Sequence, residues 1–405
     1  MTELKKRKLD TDLLTCQYVL PKKNKPCKRL RKKEFKYCSE HMIHDPDFKD
    51  ERIPCPYDPN HTVWKKDLNQ HLKKCNHKPK ERTESWFNLD FNTHLKGTED
   101  FVFEDIDEEN DDDKLMEKYI SILKQMSFEP LQYKIYQHEG LESRLNEKSN
   151  QKHPIQQNSI IANLDKMGLL NESFLFLEFG CGKGELSRYL NQCILQQNPS
   201  NSSTYGFGLI DRGKNRLKAD SKIISDCDAV ELTPQVKRSK IDIKDLNLSE
   251  FISDLQVNKV VGISKHLCGA ATDLTLKSIL NSTILEQDQF GGVLIAMCCR
   301  HACSLEQLLP QSKKYLYDKG FKTVKSFKIL KKLVSWAVDK KTETQQNGLS
   351  FEEREEIGLT ARRLIDESRV HALRSILGEQ YKVEIFWYVE KSITLENVCL
   401  SISKQ

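Results

Sequence analysis

Eight side chains in the first fifth of the sequence are of the types that hold a borderline-soft metal ion. Cys16, Cys27, Cys38 and His41 follow the spacing C-x10-C-x10-C-x2-H, and Cys55, His61, His71 and Cys75 follow C-x5-H-x9-H-x3-C. Three thiolates with one imidazole, or two of each, complete a tetrahedral zinc site. The first set lies in a stretch with nine Lys and Arg between Lys22 and Lys36. So few apolar side chains cannot build a core, and the ion itself must supply the order. In the second set His71 and Cys75 are four residues apart, on one face of a helix predicted over Lys65–Lys74. Pro54, Pro56 and Pro59 keep the preceding loop, with Cys55 and His61, out of helix. His44 and His77 are the alternative ligands. The chain has thirteen cysteines and no apolar leader after its basic first residues. They read as metal ligands or packing groups of a nuclear and/or cytoplasmic protein, because those compartments keep thiols reduced.

A second kind of chemistry is written at Phe174-Leu-Phe-Leu-Glu-Phe-Gly-Cys-Gly-Lys-Gly. A short apolar strand ends in glycines that permit a tight turn and a close backbone approach to a ligand, and a helix is predicted from Glu185 to Leu195. The spacing of Gly180, Gly182 and Gly184 is not the G-x-G-x-x-G of dinucleotide sites. Glu178, two residues before the first glycine, instead fits motif I of S-adenosylmethionine-dependent methyltransferases. A second strand, Tyr205–Ile210, ends in Asp211, where a carboxylate accepts from ribose hydroxyls. A third is expected at Lys240-Ile-Asp-Ile-Lys-Asp, with Asp242 or Asp245 accepting from an adenine amino group. A fourth, Lys259–Ser264, runs into Lys265, His266, Leu267 and Cys268. A fifth, Gly292–Cys298, runs into Cys299, Arg300, His301, Ala302 and Cys303. At both ends titratable groups stand where a ligand of a parallel sheet lies; taken alone, Lys265 and His266 are equally consistent with structural hydrogen bonds, and Cys298, Cys299 and Cys303 with buried packing.

The elements that position these groups follow from composition. Of 405 residues, 64 are Lys or Arg and 59 Asp or Glu. Residues 1–80 hold 21 basic and 11 acidic side chains, residues 81–130 hold 5 and 15, and the remainder 38 and 33. A basic head points to a polyanion, with solvated surface or an import signal as the plain alternatives. The run Glu99–Asp113 has ten acids and no base, and predicts a flexible tether. Helical periodicity follows at Leu115–Met126 and Gln156–Leu170, and strands then alternate with helices as in a doubly wound α/β sheet. No apolar run approaches the roughly 18–20 residues that span a bilayer. The expected organisation is a three-Cys-one-His finger with its basic arm over 1–48, a C-H-H-C finger over 49–80, an acidic flexible linker over 81–115, and a Rossmann-like domain with N-terminal helices over 116–405.

The C-H-H-C pattern resembles zinc fingers of RNA-associated proteins, and the whole set of motifs goes further. The two different fingers, Lys152-His-Pro-Ile-Gln-Gln, Glu178-Phe-Gly-Cys-Gly-Lys-Gly, Ile210-Asp-Arg, Ser264-Lys-His-Leu-Cys-Gly-Ala-Ala-Thr-Asp, Cys298-Cys-Arg-His and Thr394-Leu-Glu-Asn-Val together resemble the eukaryotic tRNA 2'-O-methyltransferases that modify the fourth nucleotide of the acceptor stem. The resemblance covers nearly the whole chain. One departure is Arg300, where the family pattern has a histidine, and it moves weight to His301. The resemblance implies two zinc ions, S-adenosylmethionine as methyl donor, and the acceptor stems of glycine, proline and histidine tRNAs as substrates. A ribose hydroxyl is a poor nucleophile until its proton has an acceptor. His266 and His301 are the candidate bases, with Lys265 as a base if burial lowers its pKa, or else as support for the developing oxyanion. Arg212 and Lys214 are placed to grip the RNA backbone. Two rivals stand beside this reading: an RNA base methyltransferase using Cys298 or Cys299 as nucleophile, and an RNA-binding zinc-finger adaptor whose α/β domain is inactive. No membrane is expected, and the sequence points to no particular protein partner.

Overall fold

A computed structural model describes residues 14–405 except 22–23, 77, 79–81, 106–110, 148–150, 198, 201, 216, 231 and 339–347. The chain divides into two compact units at Thr83/Glu84. In the first unit the strands β1 (Val19–Leu20) and β2 (Lys25–Pro26) pair antiparallel, as do β3 (Arg52–Cys55) and β4 (Asp58–Trp64); α1 (Leu68–Lys74) follows. Its buried apolar positions are few, and Cys16, Cys27 and Cys38 are the centre of one of its clusters. This is the composition expected of a fold built around ions.

The second unit begins with a segment whose composition misleads. Residues 84–105 form no free tether; they lie as a strap across the α/β body. Trp86 packs edge-on to Phe251 and donates to Ser239. The buried Asn92 amide donates to Ile243 and Leu246 carbonyls, both at 2.7 Å. Asp100 takes both its oxygens to Lys313 Nζ, and Phe103 enters the core. The acids thus meet lysines of the body, and the apolar residues between them dock one at a time on different elements, without a period that marks them in advance. Ile106 to Asn110 of the acidic run lie outside the described residues.

The helices α2 (Asp112–Lys124), α3 (Glu142–Glu147) and α4 (Lys152–Lys166) lead into a seven-stranded sheet. Its elements in chain order are β5 (Phe174–Phe179), α5 (Glu185–Leu195), β6 (Gly206–Asp211), α6 (Asp220–Asp226), β7 (Gln235–Lys240), α7 (Leu248–Ile252), β8 (Lys259–Cys268), α8 (Ala270–Leu280), β9 (Phe290–Cys298), α9 (Pro310–Asp318), α10 (Val324–Ser335), α11 (Phe351–Leu377), β10 (Tyr381–Trp387) and β11 (Val398–Lys404). The spatial order is β10-β11-β9-β8-β5-β6-β7. The five strands β5 to β9 are parallel, while β11 is antiparallel to both its neighbours. The chain leaves β5 toward β6 and later returns to β8 on the other side, so a crevice opens at the carboxyl ends of β5 and β8, where ligands of such sheets bind.

The third parallel strand is Gln235–Lys240, not the predicted Lys240–Asp245. It is an edge strand, and its Lys237, Arg238 and Lys240 hide it from a search for apolar runs. Among the described residues no helix is long and apolar enough to cross a membrane.

Candidate functional site

Both N-terminal ligand sets converge. A tetrahedral zinc with bonds of about 2.3 Å to sulfur and 2.0–2.1 Å to nitrogen keeps S···S near 3.8 Å, S···N near 3.5 Å and N···N near 3.3 Å. His41 Nδ1 lies 3.6 Å from Cys16 Sγ and 3.4 Å from Cys38 Sγ, and Cys27 belongs to the same group. In the second set Cys55 and Cys75 sulfurs are 3.7 Å apart, His61 and His71 Nε2 atoms 3.2 Å apart, and His61 Nε2 is 3.6 Å from Cys75 Sγ. The donor chemistry and the spacings fit zinc. Asp58 Oδ2 stands 3.2 Å from His61 Nδ1 and orients that ring from behind. His44 is outside the first set and stacks on Tyr18 instead. His77 lies outside the described residues.

At the crevice two adjoining cavities, of about 510 and 390 Å³, share Gly180 and His266. The turn after β5 is left-handed at Gly180, Gly182 and Gly184, with φ of +66°, +52° and +81°. A side chain at Gly180 would approach the His266 carbonyl to 3.2 Å, whereas the space beside Gly182 is open, as a ligand cradle requires. Asp211, at the end of β6, fixes the turn by accepting from the Gly182 amide at 2.7 Å. It lines the larger cavity with Asp242, Ile241, Ile243 and Leu274. Asp245 does not. Its carboxylate turns to the strap, accepting from the Asp90 amide at 2.9 Å with Lys244 Nζ 3.3 Å away. Asp242 caps the short 3-10 turn after β7 from outside and Asp245 ends it, and the two carboxylates go in different directions.

Glu178 lines the smaller cavity and is buried at the start of α5, where it accepts from the Ser187 hydroxyl at 2.6 Å and amide at 3.1 Å. Burial outweighs these bonds and pushes its carboxyl up to about 7. Lys265 and His266 line the same cavity. Burial lowers the pKa of both, and for His266 the charges of Lys265 and His153 add to it. His153, the first histidine of α4, brings Nδ1 to 3.0 Å from Lys265 Nζ. His153 and Gln157, also on the wall, belong to the Lys152-His-Pro-Ile-Gln-Gln motif, but their place in the cleft comes from contact with a residue 112 positions away and carries no local signal.

His301 is not brought to either cavity. It is exposed on the single 3-10 turn Arg300–Ala302, although Ala302 touches the larger cavity. Arg300 points the other way, into the core. It is wholly buried, holds Asp366 through Nε at 3.1 Å and Nη2 at 2.9 Å, reaches the Met297 carbonyl at 2.7 Å, and pairs with Glu396. Glu396, from the Thr394-Leu-Glu-Asn-Val motif, also accepts from the Cys299 amide at 3.0 Å and from Arg362 at 2.9 Å. This motif therefore anchors the turn after β9. Cys298 is buried, with its thiol pushed up chiefly by Cys268 and then by burial; Cys303 is buried and pushed up to about 12. Neither is a ready nucleophile.

Comparison with known proteins agrees with this anatomy. Residues 155–403 match the family Methyltransferase TRM13, residues 52–76 the U11-48K-like CHHC zinc finger, and residues 14–42 the CCCH zinc finger in TRM13 protein. The chain is 53% identical to the tRNA:m(4)X modification enzyme TRM13 of Scheffersomyces stipitis, over 95% of this chain and 99% of that one. It is 52% identical to the same-named protein of Debaryomyces hansenii (98% and 93% covered) and 34% to that of Saccharomyces cerevisiae (99% and 98%). Among solved structures, the SAH-bound Podospora anserina methyltransferase PaMTH1 aligns with a TM-score of 0.30 at 9% identity, over 75% of this chain and 99% of that one.

Proposed function

This chain belongs to the TRM13 methyltransferase family, and on that footing we propose that it transfers a methyl group from S-adenosylmethionine to the ribose 2'-hydroxyl of nucleotide 4 in the acceptor stem of tRNA. Glycine, proline and histidine tRNAs are the substrates we expect. The observation that carries the reading is the two-lobed cleft. One lobe has apolar walls with Asp211 and Asp242 at its rim, suited to a nucleoside, and the other gathers Glu178, Lys183 and Lys265, suited to an amino-acid zwitterion. S-adenosylmethionine supplies a methyl group on a sulfonium, which needs no metal to be transferred. The chain's own residues must align the hydroxyl and remove its proton. Neutral His266 is the acceptor at physiological pH, because burial keeps the imidazole uncharged. Lys265 donates to His153 and, in its ammonium form, supports the oxyanion beside it. His301 takes no part in this scheme.

Recognition of a duplex RNA stem rests on its phosphates and 2'-hydroxyls in a wide minor groove. Arg212 and Lys214 are exposed at the end of β6, and α10, which packs on the Arg300–Ala302 turn, carries Lys325, Lys328, Lys331 and Lys332. These, with the basic finger unit, are the phosphate contacts. The test is incubation of tRNA with protein and labelled S-adenosylmethionine, followed by alkaline hydrolysis. A labelled, alkali-resistant dinucleotide mapping to positions 4 and 5 is expected. A labelled base released as a mononucleotide favours base methylation, and cofactor or tRNA binding without transfer favours an adaptor.

A further inference from the structure

Beyond the two fingers, one other group of metal-ligating side chains occurs among the described residues: the sulfurs of Cys268, Cys298 and Cys299, all within 4.8 Å of one another. We propose that these three thiolates form a third zinc site, with its fourth coordination position open, at the rim of the cofactor cleft.

The sheet itself builds the cluster. β8 and β9 run parallel, and their pairing skips between Ser264 and Leu267 before resuming with Leu267 opposite Met297 and Cys268 opposite Cys298. The bulge puts Lys265 and His266 into the cleft and returns Cys268 to register beside Cys298. Cys299 then takes a left-handed backbone, φ 49° and ψ 47°, that β-strand geometry does not need. The turn reverses the chain so that a third sulfur meets the other two, and Glu396 holds it by accepting the Cys299 amide. The Cys268 and Cys298 sulfurs are 3.0 Å apart. That is far beyond the roughly 2.05 Å of a disulfide, so the two sulfurs are unbonded neighbours in hydrogen-bond contact. An ion between them spreads the pair to the spacing seen in the second finger. An all-sulfur set selects zinc over the hard cations. Burial grades from Cys298, enclosed, through Cys299, half-buried, to Cys268, exposed, so an ion has a way in and the side facing solvent is left for water or an incoming ligand. His301 lies outside the three-sulfur group. Such an ion clips the end of β8 to the end of β9 and so positions the loop that carries Lys265 and His266.

Elemental analysis of the full chain, purified under reducing conditions without added metal, is expected to find three zinc ions per chain, two of them from the finger sets. Cys268→Ser, an exposed and conservative change, is expected to return two, with both finger ions retained. In the native wild-type chain Cys268 and Cys299 are expected to resist a thiol reagent until a chelator is added. Two ions per chain with both thiols freely modified would overturn the proposal, as would a Cys268–Cys298 disulfide found in the unreduced chain by mass spectrometry. Should Cys268→Ser fail to fold, the wild-type ion count and thiol protection decide alone. None of these measurements reads tRNA methylation, so the site stands or falls separately from the acceptor assigned above.

Discussion

Lys265 Nζ lies 3.0 Å from His153 Nδ1, which joins the helix before the sheet to the strand end that lines the cleft. The pair gives the lysine a partner able to accept a hydrogen bond, and burial already favours its neutral form. Lys265→Ala is expected to lower the single-turnover transfer rate at saturating S-adenosylmethionine by about 100-fold, the lower end of the range of about 10²–10⁴ for a lost acid–base group, and to weaken S-adenosylmethionine binding as well, since Lys265 lines the amino-acid lobe. His153→Ala should shift the upper limb of the pH–rate profile to lower pH without abolishing it, because the Lys265 ammonium loses its acceptor. A profile identical to wild type would remove His153 from the relay.

Cofactor binding should depend on pH through Glu178. In the free protein its carboxyl is held up to about 7 by burial. The cationic cofactor favours the carboxylate, so binding near pH 6.5 should release a proton, and affinity should rise from pH 6 to 8. Calorimetry in buffers of different ionisation enthalpy reads the proton directly, and Glu178→Gln should flatten the dependence. Stability of the unliganded protein runs the opposite way. Between the ordinary value of 4.5 and about 7 the folded chain holds a proton that the unfolded chain has lost, so the Glu178 contribution is full below 4.5 and fades as pH rises to 7.

The strap makes a stability prediction. Asn92→Ala strands the Leu246 carbonyl, at about 1–3 kcal/mol for a buried group left unpaired, while the Ile243 carbonyl keeps the Leu246 amide. Urea unfolding should show the loss in the second unit while zinc content stays constant. Unchanged stability would restore the tether reading of this segment.

Arg300 is a core residue in this chain. Arg300→Ala leaves Asp366 and Glu396 facing each other's remaining partners with one cation fewer, at a cost of about 3–5 kcal/mol. Arg369 and Arg362 still bind those two carboxylates, which favours the lower figure. Thermal unfolding checks it; a variant of wild-type stability that has lost methyl transfer would instead place Arg300 in the reaction.

Much of this molecule is legible in its sequence, and the parts that are not share a physical reason. The finger ligands and the Glu178–Gly184 turn are local patterns in which spacing nearly fixes geometry. Asp211 reaches the crevice because a strand end projects its last side chain toward it. Asp245 is misplaced because Asp242 is the extended cap residue before the 3-10 turn and Asp245 is the last residue inside it, so the two carboxylates do not share one face. The strap fails for another reason: charge density predicts solvation only when no complementary lysine waits in the fold, and Lys313 and Lys244 do wait. His153 and the meeting of Cys268 with Cys298 and Cys299 depend on contacts between distant segments, which no window along the chain contains.

The place of β11 between β9 and β10 governs how this protein is made. β9 is complete at Cys298, yet the strand that covers its open edge starts only at Val398. At roughly 5–20 residues per second the ribosome needs on the order of 5–20 s to deliver it. During that interval Val293 to Ala296 present an apolar, unpaired backbone edge, a template for pairing with another nascent chain. The long α11 is finished before that edge is closed, so newly synthesised protein passes through a stage with nearly all its helices and an unfinished sheet, the stage at which chaperones matter most to its yield.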